Sequence, residues 1–158
     1  MYQAKAVIIA GGSYLRKLGI PGENEFEGRG VSHCASCDGS FFQNQTVGVV
    51  GGGDSALDEA LALTEYASHV LLFLRRDAFR GQKVLENRVL SHEKIEVQWN
   101  TQVKEILGQN SVEGLKILNL KTGETSQLKV EGVFIYVGLD PHTSYLRGFV
   151  DMDAAGHI

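Results

Sequence analysis

The sequence predicts an α/β fold, a Rossmann-like parallel sheet with helices and an antiparallel β-meander, and two patterns support that class. Between residues 46 and 100, apolar runs of strand length alternate with runs whose apolar residues recur at helical spacing. This alternation is typical of the strand–helix–strand units that build a parallel sheet. Beyond residue 103, short apolar runs are separated by turn signals, which favours hairpins.

The individual elements follow from local composition. Three runs predict buried strands: KAVIIAGG (5–12), TVGVVGGG (46–53) and SHVLLFLRR (68–76). They are rich in β-branched and aliphatic residues, which suit a strand covered on both faces. A fourth run, IEVQWN (95–100), predicts a further strand. Two runs predict amphipathic helices: DSALDEALALTEYA (54–67) and GQKVLENRVLSH (81–92). A side-chain oxygen of Asp54 or Ser55 can cap the first of these helices.

The remaining segments predict a loop and the meander. The polar, glycine-rich run KLGIPGENEFEGRG (17–30) indicates a long loop or linker and is the best candidate for a domain boundary. The meander is predicted from KEIL, GLKILNL and QLKVEGVFIYVG, with KTGE at 121–124 as one of its turns.

Length and charge limit the function. A chain of 158 residues can bury one domain, or one domain and a remnant of another. A net charge of −4 gives no broad attraction for nucleic acid or for an anionic membrane. The longest apolar run, Val70 to Leu74, is far too short to span a bilayer, and no secretory leader precedes the first strand. We therefore expect a cytoplasmic protein that binds neither nucleic acid nor membrane.

A glycine-rich turn lies between the second predicted strand and the first predicted helix, with the pattern Gly51-x-Gly53-x-x-Ala56. In a dinucleotide fold, the first glycine makes the tight turn, the second lets a pyrophosphate approach the backbone, and the third small residue packs the helix on the strand. The helix N-terminus then offers N–H groups to the phosphates. An ordinary glycine loop is the alternative, but the strand before it and the helix after it favour a dinucleotide site.

The end of the next strand indicates which dinucleotide is bound. An NAD site has Asp or Glu about 20 residues after the glycines, where it binds the ribose 2′-hydroxyl. This sequence has Arg75 and Arg76 at that point, with Arg80 one turn later. Guanidinium groups suit a 2′-phosphate, so NADPH is preferred to NADH. The alternative is a solvated basic turn, which its position at the ribose end of the fold disfavours.

The two cysteines, Cys34 and Cys37, lie in the run HCASCDG. A structural zinc site needs four ligands, and His33, directly beside Cys34, is poorly spaced to be one. A structural disulfide across two residues closes too short a loop to stabilise the fold much. Two ordinary buried cysteines stay open as an alternative. The spacing suits a reversible dithiol, in which one thiol attacks a partner disulfide and the other resolves the mixed species, with Asp38 placed to give the departing thiolate a proton.

Taken together, GRGVSHCASCDG, GVVGGGDSALDEA, RRDAFR and VFIYVGLDPHT resemble the low-molecular-weight thioredoxin reductases, in the same order and over nearly the whole chain. The resemblance implies that NADPH reduces FAD, that FAD reduces the disulfide and that the dithiol reduces thioredoxin, in a homodimeric enzyme. It implies that Cys37 faces the flavin, that Cys34 exchanges with thioredoxin or a similar small disulfide protein, and that Asp38 donates protons. The implied NADPH contacts are Gly51, Gly52, Gly53, Asp54, Ser55 and Ala56 at the pyrophosphate and Arg75, Arg76 and Arg80 at the 2′-phosphate and adenine.

The resemblance also predicts the domain organisation. Residues 1–28 are expected to be a remnant of the FAD domain with a linker, residues 29–140 the NADPH-binding domain with the cysteine pair, and residues 141–158 the start of the return to the FAD domain. The FAD-binding segments of the family are not found, so we expect this chain to bind NADPH but not FAD, and to show no turnover alone. Two alternatives remain: a stand-alone nucleotide-binding module without turnover, and the flavoprotein arm of a peroxide-reducing system.

Overall fold

The computed structural model describes residues 3–158 and shows a mixed α/β fold. The chain divides into two compact units. Residues 17–137 form the larger unit, and residues 3–16 together with 138–158 form the smaller one. No helix in the described part of the chain has the length and apolar composition needed to cross a bilayer.

Strands and helices alternate between residues 31 and 98, and strands dominate after residue 98. In chain order, the strands are β1 (Ser13–Leu15), β2 (Val31–Ser32), β3 (Thr46–Val50), β4 (His69–Phe73), β5 (Ile95–Gln98), β6 (Thr101–Gly108), β7 (Val112–Asn119), β8 (Thr125–Leu128), β9 (Gly132–Ile135) and β10 (Leu139–Pro141). The helices are α1 (Ala35–Asp38), α2 (Asp54–Leu63) and α3 (Lys83–Leu90), with 3₁₀ turns at Gly39–Phe42 and Ser144–Leu146.

The larger unit is organised around a parallel five-stranded sheet in the order β2-β9-β3-β4-β5. Helix α2 connects β3 to β4, and helix α3 connects β4 to β5, as the sequence predicted. A second, antiparallel sheet in the order β6-β7-β8 is the predicted meander. The fold class predicted from the sequence is therefore confirmed.

The central strands of the parallel sheet are covered on both faces. Because side chains alternate between the faces along a strand, each strand contributes side chains to two cores. On β3, Val47 and Val49 lie in the core that includes the apolar side of α2, whereas Val50 lies in a second core that includes the meander. On β4, Leu72 belongs to the first core and Phe73 to the second. Strands covered on both faces are continuous apolar runs in the sequence, which is why they were predicted correctly.

Helix α2 is amphipathic, as predicted, and its apolar side is buried in the structure: Ala56, Leu57, Ala60, Leu61 and Leu63. The predicted cap is wrong. Gly53 is the N-cap residue, and no side chain caps the helix. The carboxylate of Asp54 accepts a hydrogen bond from the backbone N–H of Gln82 at 2.6 Å, so it binds the loop before α3 rather than its own helix.

The meander ends earlier than the sequence predicted. The run 127–138 was expected to be one strand of the meander, but the structure divides this region into β8 and β9. Strand β8 is mostly exposed and pairs antiparallel with β7, whereas β9 is buried throughout and pairs in parallel with β2 and β3. The physical reason is that the GVFI run is apolar on both faces and therefore needs a central position in a covered sheet.

The predicted buried strand over residues 5–12 is wrong. This segment is irregular in the structure, and Val7 and Ile8 expose 80% and 94% of their surface. A strand is stable only when a neighbouring strand pairs with its backbone. Among residues 3–158, no strand pairs with this segment; the sheet of the smaller unit consists of β1 and β10, and the His142 N–H donates to the Gly12 carbonyl just before β1 at 3.0 Å.

The segment 17–30 is irregular, as predicted, but it is held by contacts within the larger unit. Phe26 is buried in the core that includes the meander. Glu23 is only 2% exposed, and its carboxylate accepts hydrogen bonds from the backbone N–H groups of Leu18 at 2.9 Å and Gly19 at 2.7 Å. The segment is therefore packed within the larger unit.

We expect Glu23→Ala to lower the free energy of unfolding by about 1.5–3 kcal/mol, because hydrogen bonds to a charged group contribute about that much and two N–H groups would lose their acceptor. The control is Glu25→Ala, since Glu25 is exposed and makes no side-chain hydrogen bond or ion pair within residues 3–158. It should change the free energy by less than about 0.5 kcal/mol. Chemical unfolding followed by circular dichroism measures both, and equal effects would show that Glu23 does not hold the segment.

Candidate functional site

The glycine turn lies at the carboxyl end of β3, where the strand order of the sheet reverses. From β3 the chain moves through α2 to β4 and then to β5, and it later returns to the other side of β3 as β9. The carboxyl ends of β3 and β9 therefore flank a topological switch point, which is where open α/β sheets bind their ligands. The N–H of Gly51 donates to the carbonyl of Phe73 at 3.2 Å and ties the turn to β4.

The three glycines of the turn have different structural roles. Gly51 has a φ of 152°, and a methyl group there would come within 2.4 Å of the Tyr136 carbonyl oxygen and 2.8 Å of Ala56 Cβ. A methyl group on Gly52 would lie 2.6 Å from a leucine side chain. A methyl group on Gly53 would meet no protein atom within 4 Å. Packing therefore excludes a side chain at position 51 and disfavours one at position 52, whereas Gly53 leaves open the approach that a pyrophosphate needs.

Helix α2 begins directly after the turn. Asp54 and Ser55 are exposed in its first turn, and Ala56 is fully buried against Gly51. This contact brings the start of the helix close to β3, which is the third requirement of the dinucleotide pattern. The backbone N–H groups of the first helical turn lack helical partners and can bind phosphate.

The three arginines lie at the same edge of the sheet as the glycine turn. Arg75 and Arg76 follow the carboxyl end of β4, which pairs in parallel with β3, and the Arg80 N–H donates to the carbonyl of Gly52 at 2.8 Å. All three arginines are exposed. Within residues 3–158, no ion pair or hydrogen bond engages their guanidinium groups. The structure thus brings together the residues that the sequence assigned to the two ends of one nucleotide.

The cysteine pair forms a disulfide at the start of the short helix α1. Cys34 is the N-cap residue and is partly buried, whereas Cys37 is exposed. The N–H of Cys37 donates to Cys34 Sγ at 3.2 Å, and the Ser36 hydroxyl lies 3.4 Å from the same sulfur. These donors favour negative charge on Cys34 once the disulfide is reduced. The disulfide and the exposure of Cys37 argue against the alternative interpretation of two ordinary buried cysteines.

Asp38 is held by Ser32, a residue that the sequence analysis missed. The Ser32 hydroxyl donates to Asp38 Oδ2 at 2.6 Å and accepts from the Cys34 N–H at 3.1 Å. The buried hydroxyl therefore connects the carboxylate to the backbone of the first cysteine. No sequence motif marks this serine, because its role depends on the turn between β2 and α1.

Two further residues that the sequence analysis missed, Glu59 and Tyr136, hold the first residue of α1. The Ala35 N–H donates to Glu59 Oε2 and to the Tyr136 hydroxyl oxygen, both at 3.0 Å. Burial raises the pKa of Tyr136 well above its usual range, and the carboxylate of Glu59 raises it further, so the phenol stays protonated at neutral pH. Glu59 lies on α2 and Tyr136 follows β9, so only the tertiary fold brings them together.

An exposed aromatic residue follows the cysteine pair in the 3₁₀ turn Gly39–Phe42. Phe42 is buried against Phe134, with 5.4 Å between the ring centroids, whereas Phe41 exposes 75% of its surface. Aromatic residues are enriched in the buried centres of protein–protein interfaces. Phe41 therefore presents an aromatic ring to solvent four residues after Cys37.

Known proteins resemble this chain over its whole length. Residues 1–158 match the family model described as pyridine nucleotide-disulphide oxidoreductase. The chain is 49% identical to the thioredoxin reductase of Bacillus subtilis and 45% identical to that of Streptomyces coelicolor. These alignments cover 99% and 100% of this chain but only 50% and 49% of the relatives, so the chain spans about half the length of the curated relatives it matches. The fold is similar to a solved thioredoxin reductase of Lactococcus lactis in the FR conformation, with a TM-score of 0.87 and 44% identity over 92% of this chain and 48% of that one.

The glycine turn provides a matched pair of substitutions. We expect Gly51→Ala to lower the free energy of unfolding by about 2 kcal/mol or more, because the methyl group meets the Tyr136 carbonyl and overpacking alone costs about 1–3 kcal/mol. We expect Gly53→Ala to change it by less than about 1 kcal/mol, because the space is open and alanine readily adopts the extended backbone of Gly53, with a φ of −98° and a ψ of −179°.

Gly53→Ala should nevertheless weaken NADPH binding by about tenfold, which corresponds to about 1.4 kcal/mol, because the methyl group occupies the approach to the backbone. Chemical unfolding gives the stabilities, and isothermal titration calorimetry gives the affinity. Unchanged NADPH affinity in Gly53→Ala would show that the pyrophosphate does not lie at this glycine.

Proposed function

The chain belongs to the pyridine nucleotide-disulphide oxidoreductase family, and on that premise we propose that it is the NADPH-binding and redox-disulfide part of a thioredoxin reductase-like flavoenzyme. The curated relatives that it matches are named thioredoxin reductases, and the chain aligns with about half of each. Electrons would pass from NADPH through FAD to the Cys34–Cys37 pair and then to thioredoxin or a similar small disulfide protein.

The observation that carries this proposal is that one residue, Tyr136, contacts both candidate sites. Its carbonyl oxygen lies against Gly51 of the nucleotide turn, and its hydroxyl accepts from the N–H of Ala35, the residue after Cys34. A single residue that contacts the nucleotide turn and the residue after Cys34 favours one functional unit for the two sites. A nucleotide-binding module without redox activity would have no use for the disulfide.

NADPH fits the edge of the sheet where the glycine turn and the arginines meet. Gly53 leaves space for a pyrophosphate, and the first turn of α2 offers backbone N–H groups to it. The exposed guanidinium groups of Arg75, Arg76 and Arg80 are suited to the 2′-phosphate and the adenine. When bound, NADPH supplies a hydride, which is a pair of electrons with one proton.

In the full enzyme, we propose that FAD binds residues other than the glycine turn 51–53. Residues 3–158 contain one strand–glycine turn–helix unit, formed by β3, 51–53 and α2, and its arginines favour NADPH. We keep the division of the sequence into an FAD-domain remnant (1–28), an NADPH domain (29–140) and a return segment (141–158) as a proposal. A homodimeric, cytoplasmic parent enzyme is likewise proposed from the family.

The residues around the disulfide suit an exchange reaction. Reduction of the disulfide adds two electrons and two protons and gives the dithiol. Cys34 as thiolate would then attack a partner disulfide, form a mixed disulfide and release the other partner sulfur, which takes up a proton. Cys37 would attack Cys34 next, re-form the internal disulfide and release the reduced partner. Asp38, fixed by Ser32, would carry the protons in these steps.

The exposed ring of Phe41 would help to bind the protein partner. It follows the exposed Cys37 after three residues and is not packed in either core of the larger unit. The few interface residues that act as hot spots each cost about 2 kcal/mol or more of binding free energy when truncated to alanine. We propose that the partner covers Phe41 while its disulfide reacts with Cys34.

The nucleotide preference has a direct test. Arg75→Ala and Arg80→Ala should each weaken NADPH binding about tenfold or more, because charge-assisted phosphate contacts contribute about 1.5–3 kcal/mol. NADH affinity should stay nearly unchanged in both variants. The control is Arg88→Ala on α3, an exposed arginine outside the proposed site. Equal affinities of the unsubstituted chain for NADPH and NADH would rule out a 2′-phosphate site.

The roles of the two cysteines can be separated by trapping. After reduction, the unsubstituted chain should show two free thiols and should lose both on mild oxidation without dimerising. Cys37→Ser should form a stable mixed disulfide with an aromatic disulfide reagent through Cys34, because the resolving thiol is gone. Cys34→Ser is the comparison, and it should react through Cys37 at least about tenfold more slowly, because it lacks the sulfur that the Cys37 N–H stabilises. A faster reaction of Cys34→Ser would reverse the assignment of the nucleophile.

A further inference from the structure

The backbone N–H that begins α1 has one charged and one neutral acceptor. The carboxylate of Glu59 and the phenol of Tyr136 both accept from the Ala35 N–H at 3.0 Å. Ala35 is only 1% exposed, so the protein rather than solvent supplies the acceptors for this N–H. A negative charge is therefore held at the residue that directly follows Cys34.

Few groups are available to balance this charge. Within residues 3–158, no cation forms an ion pair with Glu59. Asp38 on α1 adds a second carboxylate, which accepts from the Ser32 hydroxyl at 2.6 Å. His33 follows β2, and its Nδ1 lies 3.1 Å from the carbonyl oxygen of Ile135. The surroundings of the cysteine pair are thus rich in negative charge.

We propose that Glu59, with Tyr136 as its partner, is a positioning residue that lowers the reduction potential of the Cys34–Cys37 pair by holding negative charge at the start of α1. The inference rests on the proposed function, because the pair must cycle between disulfide and dithiol. It adds a role for Glu59 and for the Tyr136 hydroxyl, neither of which makes a hydrogen bond to the two sulfur atoms within residues 3–158.

The direction of the effect follows from the reduced state. A thiol reductant breaks the bond between the sulfur atoms and supplies two electrons and two protons, and its own thiols become a disulfide. Cys34 then holds negative charge when its proton dissociates, because the Cys37 N–H faces its sulfur. The Glu59 carboxylate, which accepts from the N–H of the residue directly after Cys34, repels this charge. It destabilises the dithiol relative to the disulfide, which makes the dithiol a stronger reductant.

The test is Glu59→Gln, which removes the charge but keeps an oxygen that can accept from the Ala35 N–H. We expect the equilibrium constant for reduction by dithiothreitol to rise about threefold to tenfold, and a tenfold rise corresponds to about 30 mV. The whole chain is equilibrated in dithiothreitol redox buffers, and the free thiols are then alkylated and counted by mass spectrometry. The matched control is Asp58→Asn, which removes the same charge from the neighbouring, exposed position of α2. Its equilibrium constant should change less than about twofold, because solvent screens an exposed charge.

Two further measurements separate charge from packing. The difference between Glu59→Gln and the unsubstituted chain should grow in alkaline buffer, where Cys34 loses its proton, and shrink in acidic buffer. Tyr136→Phe keeps the charge and removes the phenol that interacts with it. Its equilibrium constant should fall about twofold, in the direction opposite to Glu59→Gln.

The outcomes distinguish this inference from the proposed function. If the unsubstituted chain cycles normally and Glu59→Gln leaves the equilibrium constant unchanged or lower, the inference is wrong and the proposed function stands. An equal rise in Asp58→Asn would also overturn it, because the effect would then reflect net charge alone. If the unsubstituted chain does not re-form its disulfide after reduction, the proposed function itself fails.

Discussion

The close approach of Gly51 to the carbonyl of Tyr136 is the contact on which the rest of the site depends. The two backbones come too near for any side chain at position 51, and the parallel register pairs Val50 with Ile135 just before them. Strands β3 and β9 therefore end side by side. Helix α2 begins after β3 and carries Glu59, and Tyr136 follows β9. Both side chains accept from the Ala35 N–H at the start of α1. One backbone contact thus aligns the nucleotide turn with the disulfide.

The parallel sheet explains why so many candidate residues gather at one edge. The cysteine pair follows β2, the glycines follow β3, the arginines follow β4 and Tyr136 follows β9. Parallel strands have their carboxyl ends at the same edge, so four segments that are distant in sequence become neighbours. The faces of the sheet are not available for chemistry, because α2 and α3 cover one face and the meander covers the other. The covered sheet is therefore a rigid support for the loops that carry the candidate functional residues.

Local patterns predicted the parts of the structure that local physics determines. Three kinds of element were predictable: the buried strands β3 and β4, the glycine turn and the helix α2. Each has a recognisable pattern within a short stretch of sequence, which is a continuous apolar run, a cluster of glycines or apolar residues at helical spacing. Strand β9 was placed in the wrong sheet, since an apolar run does not reveal its neighbours. The roles of Ser32, Glu59 and Tyr136 were missed for the same reason, because each depends on a contact made by the tertiary fold. The error at residues 5–12 shows that apolar composition alone does not make a strand without a pairing partner.

The cysteine pair also has a consequence for chemical damage. The two Cα atoms are 5.3 Å apart within one turn of α1, and Cys37 is exposed. A peroxide oxidises an exposed thiolate to a sulfenic acid, and further oxidation to sulfinic or sulfonic acid is largely irreversible. At this separation the second thiol can condense with the sulfenic acid, with loss of water, before another peroxide arrives. The product is again the internal disulfide, which a thiol reductant can reduce. Oxidation of the pair by peroxide therefore remains reversible.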